Sequence, residues 1–196
     1  MDSVLRSLLN ELFQTGKYND TLEQERNKKM LNLEPETAHL LSILVRSSHR
    51  TRLLEIGTSN GYSTIWLAWA AGATGGRITS IDCEAYKHEL ADANLRRAGL
   101  REFVDLIQGD ATAVVRQLAG PFDFVFFDAD RRSAPEQLRL LLPRLTSDVL
   151  VLADNALSHA DEIADYLATL AALPDFEHMI IPIGKGLSLA YRSAGG

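Results

Sequence analysis

Two apolar runs in this chain end in acids, and those ends carry its most specific chemistry. Phe122-Asp123-Phe124-Val125-Phe126-Phe127 leads into Asp128-Ala129-Asp130-Arg131, and Val149-Leu150-Val151-Leu152-Ala153 leads into Asp154-Asn155. As neighbouring parallel strands, the two runs would bring Asp128, Asp154 and Asn155 together at their C-terminal tips. Two carboxylates and an amide oxygen form a hard oxygen set suited to Mg²⁺, which keeps water or substrate in its other positions. Carboxylates held this close repel and raise a pKa, and a cation relieves that repulsion. The same residues also read as strand-end acids with a helix cap, and the sequence leaves both readings open.

A second cluster lies upstream. Leu53-Leu54-Glu55-Ile56-Gly57-Thr58-Ser59-Asn60-Gly61-Tyr62-Ser63 reads as strand, acid, glycine turn and helix start. In a parallel α/β sheet such a turn lies at the carboxyl end of a strand, where nucleotide-like ligands bind. Gly57 and Gly61 carry no Cβ, so the backbone turns tightly and a ligand can approach it. The spacing is not G-x-G-x-x-G, which argues against a pyrophosphate-binding turn. Asp82 ends the next apolar run, and an acid about 20 residues past a glycine turn accepts from ribose hydroxyls in dinucleotide folds. Asp110, in Gln108-Gly109-Asp110-Ala111, reads either as an acceptor for an adenine amino group or as a helix N-cap. Ser63 reads equally as a ligand contact or a first-turn cap. Trp66 and Trp69 read as packing residues, and Cys83 as a small buried residue.

The elements that must position these residues follow from periodicity. Val4, Leu5, Leu8, Leu9, Leu12 and Phe13 recur at helical spacing, predicting a helix over 4–13 that closes near Gly16. Residues 17–32 are polar, a short helix or loop, and Pro35 opens a second helix. Beyond Ser48, strands are predicted at 52–56, 77–82, 103–107, 122–127, 148–153, 178–183 and 187–192. Helices are predicted between them at 62–72, 85–98, 112–118, 134–142 and 159–172. Alternation of this kind implies right-handed crossovers and a mostly parallel sheet with helices on both faces. The last two strands are too close in sequence for a crossover and must form an antiparallel hairpin. The expectation is one α/β domain over 1–196, with N-terminal helices in 1–48 and a Rossmann-like, doubly wound, seven-stranded sheet in 51–193.

Bulk properties narrow the classes. The 196 residues, 46% hydrophobic and 23% charged, can bury a substantial core. A net charge of −6 argues against a nucleic-acid binder that relies on a basic face. A single cysteine provides neither a disulfide framework nor a Cys-rich zinc site. No apolar run approaches the ~20 residues that span a bilayer, and the N-terminus lacks the pattern of a signal peptide. A soluble cytoplasmic protein is expected.

The glycine-turn residues resemble the first motif of class I S-adenosylmethionine-dependent methyltransferases. The form Glu55-Ile56-Gly57-Thr58…Gly61-Tyr62-Ser63 is similar to that of the caffeoyl-CoA and catechol O-methyltransferase family. The resemblance runs from about residue 34 to Arg192 and includes the turn Ile183-Gly184-Lys185-Gly186. It implies S-adenosylmethionine contacts at Glu55, Gly57, Thr58, Gly61, Ser63, Asp82, Asp110, Ala111 and Asp128. It further implies metal ligation by Asp128, Asp154 and Asn155, and a homodimer. The apolar face of helix 4–13 is a physical candidate for that contact, and packing onto the chain's own sheet is the alternative. The implied reaction is direct methyl transfer from a sulfonium to a hydroxyl of a small, catechol-like acceptor. Asp128 and Arg131 would stand at the reacting groups.

The chain departs from that family at several places, among them Ser133-Ala134-Pro135, where an aromatic residue is expected, and a compact N-terminal region. Arg131 stands where the family carries a lysine assigned as general base, a role a guanidinium cannot fill because it stays protonated. The segment Ala156-Leu157-Ser158-His159-Ala160-Asp161 enters the next helix at once, which implies a more open acceptor pocket. Three alternatives follow: a methyltransferase without metal, a non-catalytic S-adenosylmethionine-binding protein, and a nicotinamide-dependent oxidoreductase. The glycine spacing and the closing hairpin speak against the last.

Overall fold

The computed structural model describes residues 1–194, so the last two positions of the domain expected over 1–196 lie outside the described residues. The chain opens with α1 (Ser3–Leu22), capped by Asp2, whose carboxylate accepts from the Leu5 N–H at 2.8 Å. α2 (Pro35–Ser47) has its proline in the first turn, where no N–H is needed. Strands and helices then alternate: β1 (Arg52–Ile56), α3 (Tyr62–Thr74), β2 (Arg77–Asp82), α4 (Ala85–Arg97), β3 (Val104–Gln108) and α5 (Ala111–Gln117). They continue through β4 (Phe122–Phe127), α6 (Ala134–Leu141), β5 (Leu145–Ala153) and α7 (Ala160–Ala171), and end in the hairpin β6 (Glu177–Ile181) and β7 (Leu187–Arg192).

The seven strands form one sheet in the order β3-β2-β1-β4-β5-β7-β6. β1 through β5 are parallel, and β7 lies antiparallel between β5 and β6. The expected doubly wound sheet with a closing hairpin is the observed one. Both faces of its centre are covered, which is why its strands are continuous apolar runs. Leu53, Phe124, Phe126 and Leu152 pack on one face with Leu9, Leu41 and Ile65 of the first three helices. Leu54, Val125, Phe127 and Val151 pack on the other with Leu138, Leu141 and Tyr166 of α6 and α7. Among the described residues no helix is long and apolar enough to cross a membrane.

The N-terminal region differs from expectation. α1 does not close near Gly16 but runs on to Leu22. Gly16 is a packing residue: a Cβ there would sit 2.3 Å from Asn32 Nδ2, so it admits the returning chain close to the helix. Leu5, Leu8, Leu9 and Leu12 are buried in the chain's own core, while Val4 of the same helix is exposed. β5 also starts three residues earlier than predicted, at Leu145, and β6 ends at Ile181, two residues before the predicted end.

Candidate functional site

The strand order reverses between β1 and β4, the point where open parallel sheets bind ligands. Ile56 pairs with Phe127, and Phe127 with Ala153. The ladder continues past these pairs, with Asp128 N–H donating to Ile56 C=O at 2.8 Å and Asp154 N–H to Phe127 C=O at 3.0 Å. Gly57, Asp128 and Asp154 therefore stand abreast at the tips of three adjacent strands. Above them opens a cleft of about 880 Å³, lined by Gly57, Thr58, Ser63, Asp82, Asp128, Arg131 and Asn155, among others. That volume suits a cofactor-sized small molecule.

Gly57 has φ +110°, a conformation that side chains resist. Gly61 (φ +85°) ends the turn at the start of α3, close against Ala91 of α4, and stands outside the cleft lining. Glu55 is corrected by the structure: it is fully buried and does not reach the cleft. Its Oε1 accepts from Ser63 Oγ at 2.6 Å, and its Oε2 from Thr64 Oγ1 at 2.5 Å and Ser80 Oγ at 2.6 Å. Burial pushes its pKa up to about 7 despite these three donors. Glu55 thus ties β1, β2 and the first turn of α3 into one unit. Thr58 joins it through a 2.6 Å contact between its hydroxyl and that of Ser80. Ser63 lines the cleft, but its hydroxyl proton is committed to Glu55, leaving its first-turn N–H as the group free to meet an anion.

Asp82 lines the cleft at the end of β2 and accepts from Ser59 N–H at 2.7 Å and Glu84 N–H at 3.0 Å. It braces the glycine turn from the strand beside it. Asp110 caps α5, accepting from Ala113 N–H at 2.8 Å, and neither it nor Ala111 is among the cleft-lining residues. The cap reading is thus the one the contacts show at Asp110. Cys83 is corrected: it is exposed and borders the cleft rather than filling core space. Trp66 and Trp69 pack against the core as expected.

At the acidic end, Asp154 is buried and its Oδ2 accepts from Asn155 Nδ2 at 2.7 Å. Its Oδ1 is buried with no hydrogen-bond partner among the described residues. Asn155 has φ +67°, a left-handed conformation that asparagine tolerates better than most residues. Burial pushes Asp154 up to about 6, with Glu34 adding and the Asn155 contact, Lys185 and Arg131 opposing. Burial, then the Asp154 carboxylate, lifts Asp128 well above the usual carboxylate range. A small space of about 10 Å³ beside them is lined by Asp128, Asp154, Asn155 and Arg131. That is roughly the room one water or small ion needs. Among the described residues no three His, Cys, Asp or Glu side chains cluster as a metal site, so any cation here would depend on the Asn155 amide as third ligand. An orphaned carboxylate oxygen beside a second, repelling carboxylate, with room for one small ion, fits a divalent cation. Arg131 is nearly buried, and its Nη2 and Nε reach Glu162 Oε2 at 2.8 and 3.0 Å, anchoring the start of α7.

Several cleft residues lie outside the glycine-turn and strand-end motifs. The segment before α2 forms one wall of the cleft through Arg26, Met30 and Leu33. It is held by Ser59 Oγ donating to Met30 C=O at 2.6 Å and Tyr86 OH to Asn27 C=O at 2.7 Å. Lys185, from the β6–β7 turn, lines the same cleft and pairs with Glu34 at 2.8 Å. His159 also borders it.

A family model described as O-methyltransferase matches residues 6–193. Among curated relatives, a catechol O-methyltransferase of Mycobacterium tuberculosis is 34% identical over 126 residues, covering 64% of this chain and 57% of the relative. A catechol O-methyltransferase of Niastella koreensis is 32% identical, covering 68% of this chain and 62% of the relative. The chain therefore spans less than two thirds of the length of these two relatives. An O-methyltransferase from Bacillus cereus, solved in complex with SAH, superposes with a TM-score of 0.82 at 25% identity, covering 95% of this chain and 91% of that one. TomG from Streptomyces achromogenes, an O-methyltransferase solved with SAM, gives 0.80 at 27% identity, over 98% and 91%. With nearly its whole length matched, the chain belongs to the O-methyltransferase family.

Proposed function

We propose that this protein transfers a methyl group from S-adenosylmethionine to a hydroxyl of a small, catechol-like acceptor, assisted by a divalent cation. The observation that carries the reading is the side-by-side placement of Asp128 and Asp154, with the orphaned Asp154 Oδ1, beside a cofactor-sized cleft. The cofactor half is supported by the glycine turn at the switch point and by Asp82. In this reading the glycine turn admits the methionine end, the Ser63 N–H meets its carboxylate, and Asp82 accepts from the ribose hydroxyls. Asp128, Asp154 and Asn155 would hold the cation. A cation bound there supplies Lewis acidity that lowers the pKa of a phenol, near 10 when free.

The chain's own contribution is alignment. The O–H proton is lost to solvent, the methyl C–S bond breaks as the C–O bond forms, and the sulfonium leaves as a neutral thioether; near-linear approach of oxygen, carbon and sulfur is worth several kcal/mol. The protein is also read as a cytoplasmic homodimer, to be tested by light scattering. The function test begins with calorimetric titration by S-adenosylhomocysteine, followed by turnover of catechol with and without Mg²⁺. Micromolar binding and Mg²⁺-stimulated turnover are expected. Binding without turnover on a panel of hydroxylated acceptors would favour a non-catalytic binder instead.

A further inference from the structure

The acidic end of the cleft carries a cation built into the fold. Lys185 lies in the β6–β7 turn between Gly184 (φ +53°) and Gly186 (φ +91°). A Cβ at Gly184 would meet Thr37 Oγ1 at 2.5 Å, and one at Gly186 would meet Leu157 Cγ at 2.5 Å. The Lys185 C=O accepts from both Leu157 and Ser158 N–H at 3.0 Å, and the Gly186 C=O from Ala156 N–H at 2.8 Å. The turn is thus wedged between the start of α2 and the loop that follows Asn155. Its position relative to Asp154 and Asn155 is set by backbone bonds.

Lys185 lines the cleft together with Asp128 and Asn155, and its ammonium pairs with Glu34 Oε1 at 2.8 Å. Among the described residues, the second oxygen of Glu34 is buried without a partner, as is Oδ1 of Asp154. Arg131, the other cation at this end, is taken up by Glu162. Lys185 and Glu34 both act on the carboxyls of Asp128 and Asp154, in opposite senses. Glu34, Asp128 and Asp154 therefore share the field of one ammonium on a flexible stem.

We propose that the Glu34–Lys185 pair sets the divalent-cation affinity of the Asp128–Asp154–Asn155 site, Lys185 acting as an internal counter-ion that Glu34 holds off the ligands. The inference rests on the metal reading given above. Removing the ammonium leaves Glu34 as a third carboxylate charge facing the site, which favours a divalent cation. Removing the Glu34 charge releases the ammonium toward Asp154 and Asp128, where it competes. The two substitutions act in opposite directions, which a merely structural role for the pair does not produce.

The test is Mn²⁺ binding to the full chain, followed by calorimetry and electron paramagnetic resonance, with no acceptor present. Lys185→Gln should bind Mn²⁺ at least about tenfold more tightly than wild type, and Glu34→Gln about tenfold more weakly, from one unit charge acting across a partly desolvated cleft. Thermal melts and S-adenosylhomocysteine binding check that each variant is folded. Equal affinity in all three proteins, with binding abolished by Asp154→Asn, would overturn this inference and leave the metal site standing. Binding that survives Asp154→Asn, or none even in Lys185→Gln, would overturn both.

Discussion

The carbonyl oxygen of Asp128 stands where a side chain on residue 57 would begin: a Cβ on Gly57 would lie 2.2 Å from it. The tip of β4 and the turn after β1 are thus in backbone contact, and the first atom of any side chain would part them. Gly57→Ala adds that clash to a strained φ of +110°. The expected result is a loss of about 2 kcal/mol or more, read as a lower melting temperature, together with loss of S-adenosylhomocysteine binding. A variant that melts and binds like wild type would show that the strand tips can separate freely.

Glu55 should make stability depend on pH. Burial pushes it up to about 7, above its unfolded value, so the native state holds a proton that the unfolded chain has lost. Its stabilising contribution is then complete on the acid side of the unfolded pKa and is lost as pH rises through about 7. The neutral isostere Glu55→Gln removes this titration. The melting-temperature difference between wild type and Glu55→Gln should therefore shift against wild type from about pH 5 to about pH 8. A constant difference would mean that Glu55 is ionised throughout.

In the proposed function, Asp154 governs the cation. With its pKa pushed up to about 6 by burial, it must lose a proton before it can ligate, so Mn²⁺ affinity should climb between about pH 5 and 7 and then level off. Asp154→Asn should abolish Mg²⁺-stimulated turnover of catechol while leaving S-adenosylhomocysteine binding within about twofold, because the substitution touches the metal ligands and not the cofactor turn. Undiminished stimulation would place the cation elsewhere.

Asp82 both faces the cleft and receives the Ser59 and Glu84 amides. Asp82→Ala should weaken S-adenosylhomocysteine binding by about tenfold or more, through loss of a charged acceptor and loosening of the turn. Asp82→Asn keeps an oxygen for the amides and should fall between. Calorimetry separates the cases, and unchanged affinity in Asp82→Ala would reject the ribose role.

Arg131 and Glu162 form one unit, both guanidinium contacts landing on a single carboxylate oxygen. If Arg131 serves by anchoring α7, Arg131→Lys and Glu162→Gln should lower kcat for catechol to a similar, modest degree. If Arg131 instead touches the acceptor, Arg131→Lys should raise KM while Glu162→Gln leaves KM alone. Steady-state kinetics on the two variants decides between these roles.

The sheet, its closing hairpin and the strand tips bearing Gly57, Asp82, Asp128 and Asp154 were legible in the residues themselves. Continuous apolar runs that end in glycine or acid encode buried parallel strands and their C-terminal ends, and parallel pairing then places those ends on one edge. The direction of individual side chains was not legible. Glu55 looks like a ligand group in the linear sequence, but alternation along β1 turns it beneath α3, where Ser63 and Thr64 of that helix and Ser80 of β2 meet it. Gly16 looks like a helix stop until Asn32 is seen packed against it. Lys185 and Glu34 lie far apart in the chain, and no local pattern predicts their contact. Periodicity and turn chemistry are local properties and survive in one dimension. Which polar groups share a buried space depends on long-range packing, and only the tertiary structure decides it.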